Sequence, residues 1–265
     1  MKKLTNILSI LLIMGVVLLG FYIADNFYKV NNISSDLLNR IFYNDANGDL
    51  KANDYSLDKN YLYFKIYEKD YVKSRRDILN IFYTFLDKGY KKYTFKCDSS
   101  YLSCVSDAKI IIEDNTLLSN IANFVHPFNN FDQINTSFAA SGKITLTKTD
   151  RYDTTDITQL NAYVDEVFET LYNPKLSTRE NIRTFHNYII NKSVYDTSNK
   201  NGVSIYKSSY AMGPLFEGYG VCSGYSDALS LFLYKLNVPN IRVSSRTHTW
   251  NLVYLDNKWL HIDST

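Results

Sequence analysis

Net charge is nearly absent from this chain: 29 Lys and Arg oppose 27 Asp and Glu, leaving a formal +2. With no basic stripe carrying interleaved aromatics, nothing points to a nucleic-acid partner. Internal repeats and low-complexity tracts are missing as well. Cysteine is scarce, at three residues in 265. What remains is ordinary for a globular protein, with 45% hydrophobic and 21% charged residues. The length allows one large domain or two small ones with real cores. Tyrosine is abundant, at 23 residues, but scattered, and reads as packing and surface.

The start of the chain differs from the rest. Lys2 and Lys3 precede an apolar run over residues 7–24, mildly interrupted by Ser9 and Tyr22. Eighteen residues is near the lower limit for a bilayer-spanning helix. The positive end is expected to stay in the cytoplasm and send the remainder outside. A cleaved signal peptide is the rival reading. The segment Tyr22-Ile23-Ala24 lacks a clear small-x-small cleavage pattern, so a signal anchor in the cell membrane is favoured over secretion after cleavage. No cysteine lies near the end of the run, which disfavours a lipoprotein anchor.

The cysteines fit an extracytoplasmic location. Cys97 and Cys104 are close enough for a local disulfide in an oxidising compartment. Two cysteines with no nearby histidine supply only half a zinc ligand set, so no metal site is expected there. Cys222 is left over, and an odd thiol in an exported protein is either inert and buried or reactive.

The organisation expected is a membrane helix at 1–24, a polar linker at 25–55 with a short helical stretch at 37–42, and a small α+β domain at 56–153. A second α+β unit carrying the chemistry follows at 154–265. In the first domain, alternation suggests strands at 61–67, 93–95, 108–112 and 143–149. Helical spacing suggests helices at 70–88, stopped by Gly89, and at 116–124, ended by His126-Pro127. His126, before a proline, reads as structural. In the second unit residues 157–172 are helical by pattern. Ser177-Thr178-Arg179-Glu180 is a capping box opening a helix to about 191. His186 lies off the apolar set of that helix and reads as solvated.

The last 50 residues carry the chemistry. Gly218-Tyr219-Gly220-Val221-Cys222-Ser223-Gly224-Tyr225 leads into a helix in which Tyr225, Ala228, Leu229, Phe232, Leu233 and Leu236 recur at helical spacing. Cys222 therefore falls at a helix N-terminus, where open N–H groups and the helix dipole favour a thiolate and can hold an oxyanion. Residues 247–255 alternate as a strand, Asp256-Asn257 is a tight-turn pair, and 258–263 runs back. A two-residue loop sets Leu255 opposite Lys258, and makes His248 and Asp263 diagonal neighbours on one sheet face. Histidine can serve as base and acid, and an aspartate can fix its tautomer. Whether the cysteine helix touches the hairpin is not given by spacing.

These segments resemble the transglutaminase-like superfamily of papain-like thiol enzymes. The resemblance rests on the octapeptide around Cys222, on His248-Thr249-Trp250-Asn251, and on Trp259-Leu260-His261-Ile262-Asp263-Ser264-Thr265, in the family order Cys, His, Asp. Ser193-Val194-Tyr195-Asp196 after a helix also looks like the family. The resemblance covers residues 177–265 and is strongest from 218. It implies a cysteine helix packed on an antiparallel sheet and a Cys222–His248–Asp263 triad that transfers an acyl group from an amide. It implies no metal and no cofactor. Ser223 stands where many members have glutamine. Relatives usually continue beyond the position of Asp263, so a truncated domain and an exposed last strand both remain open.

His261 reads as a neighbour of the site rather than a base. Trp250 and Trp259 read as covering the site or packing the core, and Trp250 or Tyr210 as possible helpers of the oxyanion. The expected activity is hydrolysis of amide bonds in extracellular or cell-wall peptides or proteins. Protein crosslinking with an amine acceptor is the second reading, and an inactive binding or scaffold domain of the same fold the third. The expected partners are a peptide or protein substrate and the membrane; oligomeric state is not legible.

Overall fold

The computed structural model describes residues 63–198 and 204–265. The expected membrane helix, the linker with its helical stretch, and the first residues of the strand expected at 61–67 lie outside them. The described residues form a mixed α+β structure around two hydrophobic cores.

The first core lies on a four-stranded sheet. In chain order its elements are β1 (Tyr71–Val72), α1 (Arg75–Asp87), β2 (Lys92–Cys97), α2 (Cys104–Glu113), α3 (Asn115–Ala122), β3 (Phe131–Phe138) and β4 (Lys143–Asp150). The strand order is β1-β2-β4-β3, parallel between β1 and β2 and antiparallel elsewhere. Helix α1 is capped by Ser74, whose side chain accepts from the Asp77 amide, and it buries Ile78, Ile81, Phe82, Phe85 and Leu86. These meet Phe95, Ile111, Ile121 and Ile144 from the neighbouring elements. The disulfide between Cys97 and Cys104 ties the end of β2 to the first residue of α2.

Two expectations fail here. Residues 108–112 are not a strand but part of α2. The run Ile110-Ile111-Ile112 is β-branched, yet burial falls on Cys104, Ala108 and Ile111, a helical period, while Ile110 is 56% exposed. The described part of the 61–67 segment joins no sheet. Its amides are taken by helix side chains instead, Lys65 N–H donating to Asn80 Oδ1 at 3.1 Å and Tyr67 N–H to Thr84 Oγ1 at 2.8 Å. Alternation records which side of an extended chain is buried, and here a helix covers that side. Strand β3 has no counterpart in the expected elements, because it buries only Ile134 and shows little apolar alternation.

The second core is built by α4 (Thr154–Leu171), α5 (Thr178–Lys192), β5 (Val194–Tyr195), β6 (Tyr219–Gly220), α6 (Cys222–Lys235), β7 (Asn240–Ser244), β8 (Thr249–Leu255) and β9 (Lys258–Ile262). The capping box at the start of α5 is complete, with the Glu180 amide donating to Ser177 Oγ and the Ser177 amide to Glu180 Oε2. Phe168, Phe185 and Phe232 from α4, α5 and α6 form a stack with ring centroids 5.3 and 4.8 Å apart. Helix α6 packs on the antiparallel sheet β7-β8-β9.

A buried polar chain links the elements of both cores. Arg242 on β7 pairs with Asp227 on α6, both almost fully buried. The guanidinium also donates to the carbonyls of Ala122 (2.6 Å) and Val125 (3.1 Å), and Tyr152 Oη–H donates to the other Asp227 oxygen at 2.8 Å. His126 sits beside this chain. Its Nδ1 accepts from the Phe128 amide, and its ring lies against Phe128 and Tyr234. Desolvation, and then the nearby Arg242 charge, push its pKa down from 6.5 to about 4. The folded state therefore keeps His126 neutral at pH values where the unfolded chain protonates it. Stability is expected to fall by roughly 3 kcal/mol as pH drops from 6.5 to 4. Urea midpoints across that range should show the slope in wild type and a flatter profile in His126→Gln.

Candidate active site

The approach to Cys222 is set by two close backbone constraints. Gly218 takes a left-handed φ of 76° and turns the chain out of a short π-helical segment, Gly213–Glu217. Within the first turn of α6, a Cβ on Gly224 would meet the Ser208 carbonyl oxygen at 2.1 Å, so only glycine lets that stretch of loop cross the helix. The Val221 amide donates to the same carbonyl at 2.9 Å. Cys222 is thereby the first residue of α6 and is half-buried, and Cys97 and Cys104 being bonded, it is the one free thiol. No side chain caps this helix, which leaves its first-turn N–H groups open to an anion.

The hairpin follows the expected register. Asp256 and Asn257 have φ of 54° and 60°, as a two-residue type I′ turn requires. Leu255 faces Lys258, and the ladder runs to Asn251 opposite Ile262. Beyond that pair, His248 Nε2 lies 2.7 Å from Asp263 Oδ2. The Thr265 amide donates to Asp263 Oδ1 at 3.0 Å. Partial burial works to raise the Asp263 pKa, but the bonds from His248 and Thr265 outweigh it and hold the carboxyl below its ordinary value.

No hydrogen bond joins Cys222 to His248 among the described residues. Their elements are tied one residue away. Ser226 Oγ lies 2.8 Å from the Cys222 carbonyl oxygen and 3.0 Å from that of Thr249. Buried Asn251 continues the seam, its Nδ2 donating to the Ser226 carbonyl and to Ser230 Oγ. Spacing alone did not supply this contact between helix and hairpin.

The other sequence candidates are placed as follows. The Trp250 ring stacks on His248 with centroids 5.5 Å apart, and its Nε1–H donates to His261 Nδ1 at 2.7 Å. The Tyr210 hydroxyl donates to Asp132, under Arg151 at 5.3 Å from its ring. Each of the two proposed oxyanion helpers thus has its donor committed elsewhere, Trp250 to an imidazole and Tyr210 to a carboxylate. Trp259 packs against Tyr254.

The sequence reading gave neither of two further neighbours a role at the site. His186 Nε2 on α5 lies 2.9 Å from the Asp263 carbonyl oxygen, which can only accept, so Nε2 carries the proton. A sequence separation of 77 carries no signal for this contact. Tyr195 is near the thiol: burial, and behind it the electrostatic influence of Cys222, push its phenol above the ordinary value. Among the described residues, no three His, Cys, Asp or Glu side chains gather in a way that could hold a metal ion.

No family model matches the chain, and no curated protein matches it. Two solved structures resemble it in part. One is a crystal structure of a transglutaminase (TGase), with a TM-score of 0.38 and 18% identity over 51% of this chain and 44% of that one. The other is a candidate cysteine protease from Cytophaga hutchinsonii, with a TM-score of 0.31 and 14% identity over 50% of this chain and 61% of that one. In both cases the match spans less than two thirds of the other chain's length.

Proposed function

We propose that this protein is a thiol enzyme of the transglutaminase-like kind that cleaves amide bonds of peptides or proteins through Cys222, His248 and Asp263. The observation that carries the reading is the His248–Asp263 bond at 2.7 Å. It occupies Nε2 and leaves Nδ1 as the ring nitrogen for proton transfer. Asp263, held ionised by its donors, suits an imidazolium partner.

In the proposed reaction Nδ1 takes the Cys222 thiol proton, and Sγ attacks the amide carbonyl carbon. The C–N bond breaks, the amine leaves with that proton, and a thioester remains. His248 then deprotonates water, which attacks the thioester and releases a carboxylic acid and the thiol. Open N–H groups at the start of α6 are the donors available to the oxyanion. We further infer that the work is done outside the cytoplasm on a chain tethered by residues 1–24. The Cys97–Cys104 disulfide supports an oxidising setting.

The test is alkylation of Cys222 by iodoacetamide at neutral and acidic pH. Fast labelling that persists into acid in wild type, and slows at least about tenfold in His248→Ala, supports a thiolate–imidazolium pair. Equal, slow labelling in both overturns it. With water as acceptor, free peptide is released; incorporation of a labelled amine into glutamine-containing protein would favour crosslinking instead.

His186 is a positioning residue on this reading, because it fixes the backbone from which Asp263 projects. His186→Ala is expected to lower kcat about tenfold with KM little changed, and to alter the acid limb of the pH profile. His186→Gln, which keeps an N–H donor, should recover most of the loss.

A further inference from the structure

A cavity of about 380 Å³ opens beside the proposed site, a volume within the range of ligand pockets. Its walls include Ser223 and Thr249, the residues that directly follow Cys222 and His248. Further wall comes from α3 and its C-cap, through Asn115, Ser119 and Asn123, and from the start of β3. The cavity is therefore shared between elements of the two cores and reaches the residues next in sequence to both proposed reacting groups.

Its chemistry is polar without net charge. The charged side chains in its walls neutralise one another in pairs, Arg151 with Asp132 and Arg242 with Asp227. Among its hydroxyl and amide groups, Asn123 Nδ2 donates to Ser244 Oγ at 3.0 Å, and Ser244 Oγ lies 3.1 Å from Thr249 Oγ1. Only Ala122 and Phe131 contribute apolar side chains. Such a lining repels an aliphatic side chain, because polar groups would be buried without partners. It leaves no unpaired charge for a charged one. It matches peptide amides and short polar side chains, which both donate and accept.

We propose that this cavity is a substrate subsite that takes an uncharged, polar stretch of polypeptide flanking the amide bond attacked by Cys222. The proposal rests on the thiol-enzyme reading for the words "substrate" and "attacked", but its binding half can be measured without the thiol.

The experiment uses the full chain carrying Cys222→Ala and titration calorimetry with three blocked hexapeptides: one of Ser, Asn, Gln and Gly, one of Lys and Glu, and one of Leu and Val. The Ser/Asn/Gln/Gly peptide is expected to bind at least tenfold more tightly than the other two. Ser119→Trp, on the exposed face of α3, should weaken that binding at least tenfold, and Asn115→Trp, one turn earlier, should do the same if Ser119→Trp fails to fold. Equal binding of the three peptides, no binding of any, or full binding in the folded tryptophan variant overturns the proposal. So does binding of an N-acetylglucosamine oligomer in place of the peptides. Failure of the thiol reading shows separately, as alkylation independent of His248, whichever way the calorimetry falls.

Discussion

Cys222→Ala is expected to lower amide turnover by at least about 10⁴-fold while leaving the fold intact. Removing the sulfur removes the atom that forms the thioester, so no slower version of the same route remains. Structurally, Cys222 is half-buried at a helix start where its backbone carbonyl, not its side chain, accepts from the Ser226 hydroxyl. The stability change should therefore stay within about 1 kcal/mol. His248→Ala should reach a similar loss, and the double variant should lose little more than either single one, because the two groups act as a unit. Asp263→Asn should retain more activity, since the amide still occupies the place from which Nε2 is held. Steady-state kinetics on a chromogenic peptide amide, with thermal melts of each variant, checks the set. Turnover by Cys222→Ala within tenfold of wild type would remove the thiol from the mechanism and leave the binding or scaffold reading.

The largest effect on stability is expected from Asp227→Ala, at about 3–5 kcal/mol. Arg242 is 4% exposed and Asp227 1%, so deleting the carboxylate strands a guanidinium in the interior. Tyr152 Oη–H would lose its acceptor at the same time, while its oxygen still receives the Ala211 amide at 2.8 Å. Arg242→Met should cost a similar amount by stranding the carboxylate. Joining Asp227→Leu to Arg242→Met should recover much of the loss, because the pair is costly to break and less costly to replace. Urea denaturation of the two single variants and the double one measures the coupling. A double variant as unstable as the sum of the singles would mean that the ion pair contributes nothing beyond packing.

Local chemistry made much of the second half readable. The Asp256-Asn257 turn dictated a register that the ladder follows pair by pair to Asn251 and Ile262. The Ser177–Glu180 box marked a helix start that the structure realises with both hydrogen bonds. What stayed hidden involves partners remote in sequence. His186 looked solvated because nothing near it reveals that a strand end 77 residues away presents a carbonyl. The fate of the Trp250 and Tyr210 donors depended on His261 and Asp132, which only folding brings to them. The isoleucine run in α2 shows the other limit: residue type argued for a strand, and the burial period decided for a helix. The neighbouring cavity draws its walls from seven separate stretches of chain, so no window of sequence could have outlined it.

The acceptors around Arg242 have one more consequence. Two of the oxygens that satisfy it belong to Ala122 and Val125, while the residue itself stands on a strand next to the proposed catalytic hairpin. The half of the protein that carries the thiol is thus not self-sufficient in hydrogen-bond acceptors. It cannot be excised, or joined to a foreign leading domain, without a replacement for those two carbonyls. A fragment beginning near residue 154 would have to find other acceptors for the Arg242 guanidinium in order to fold.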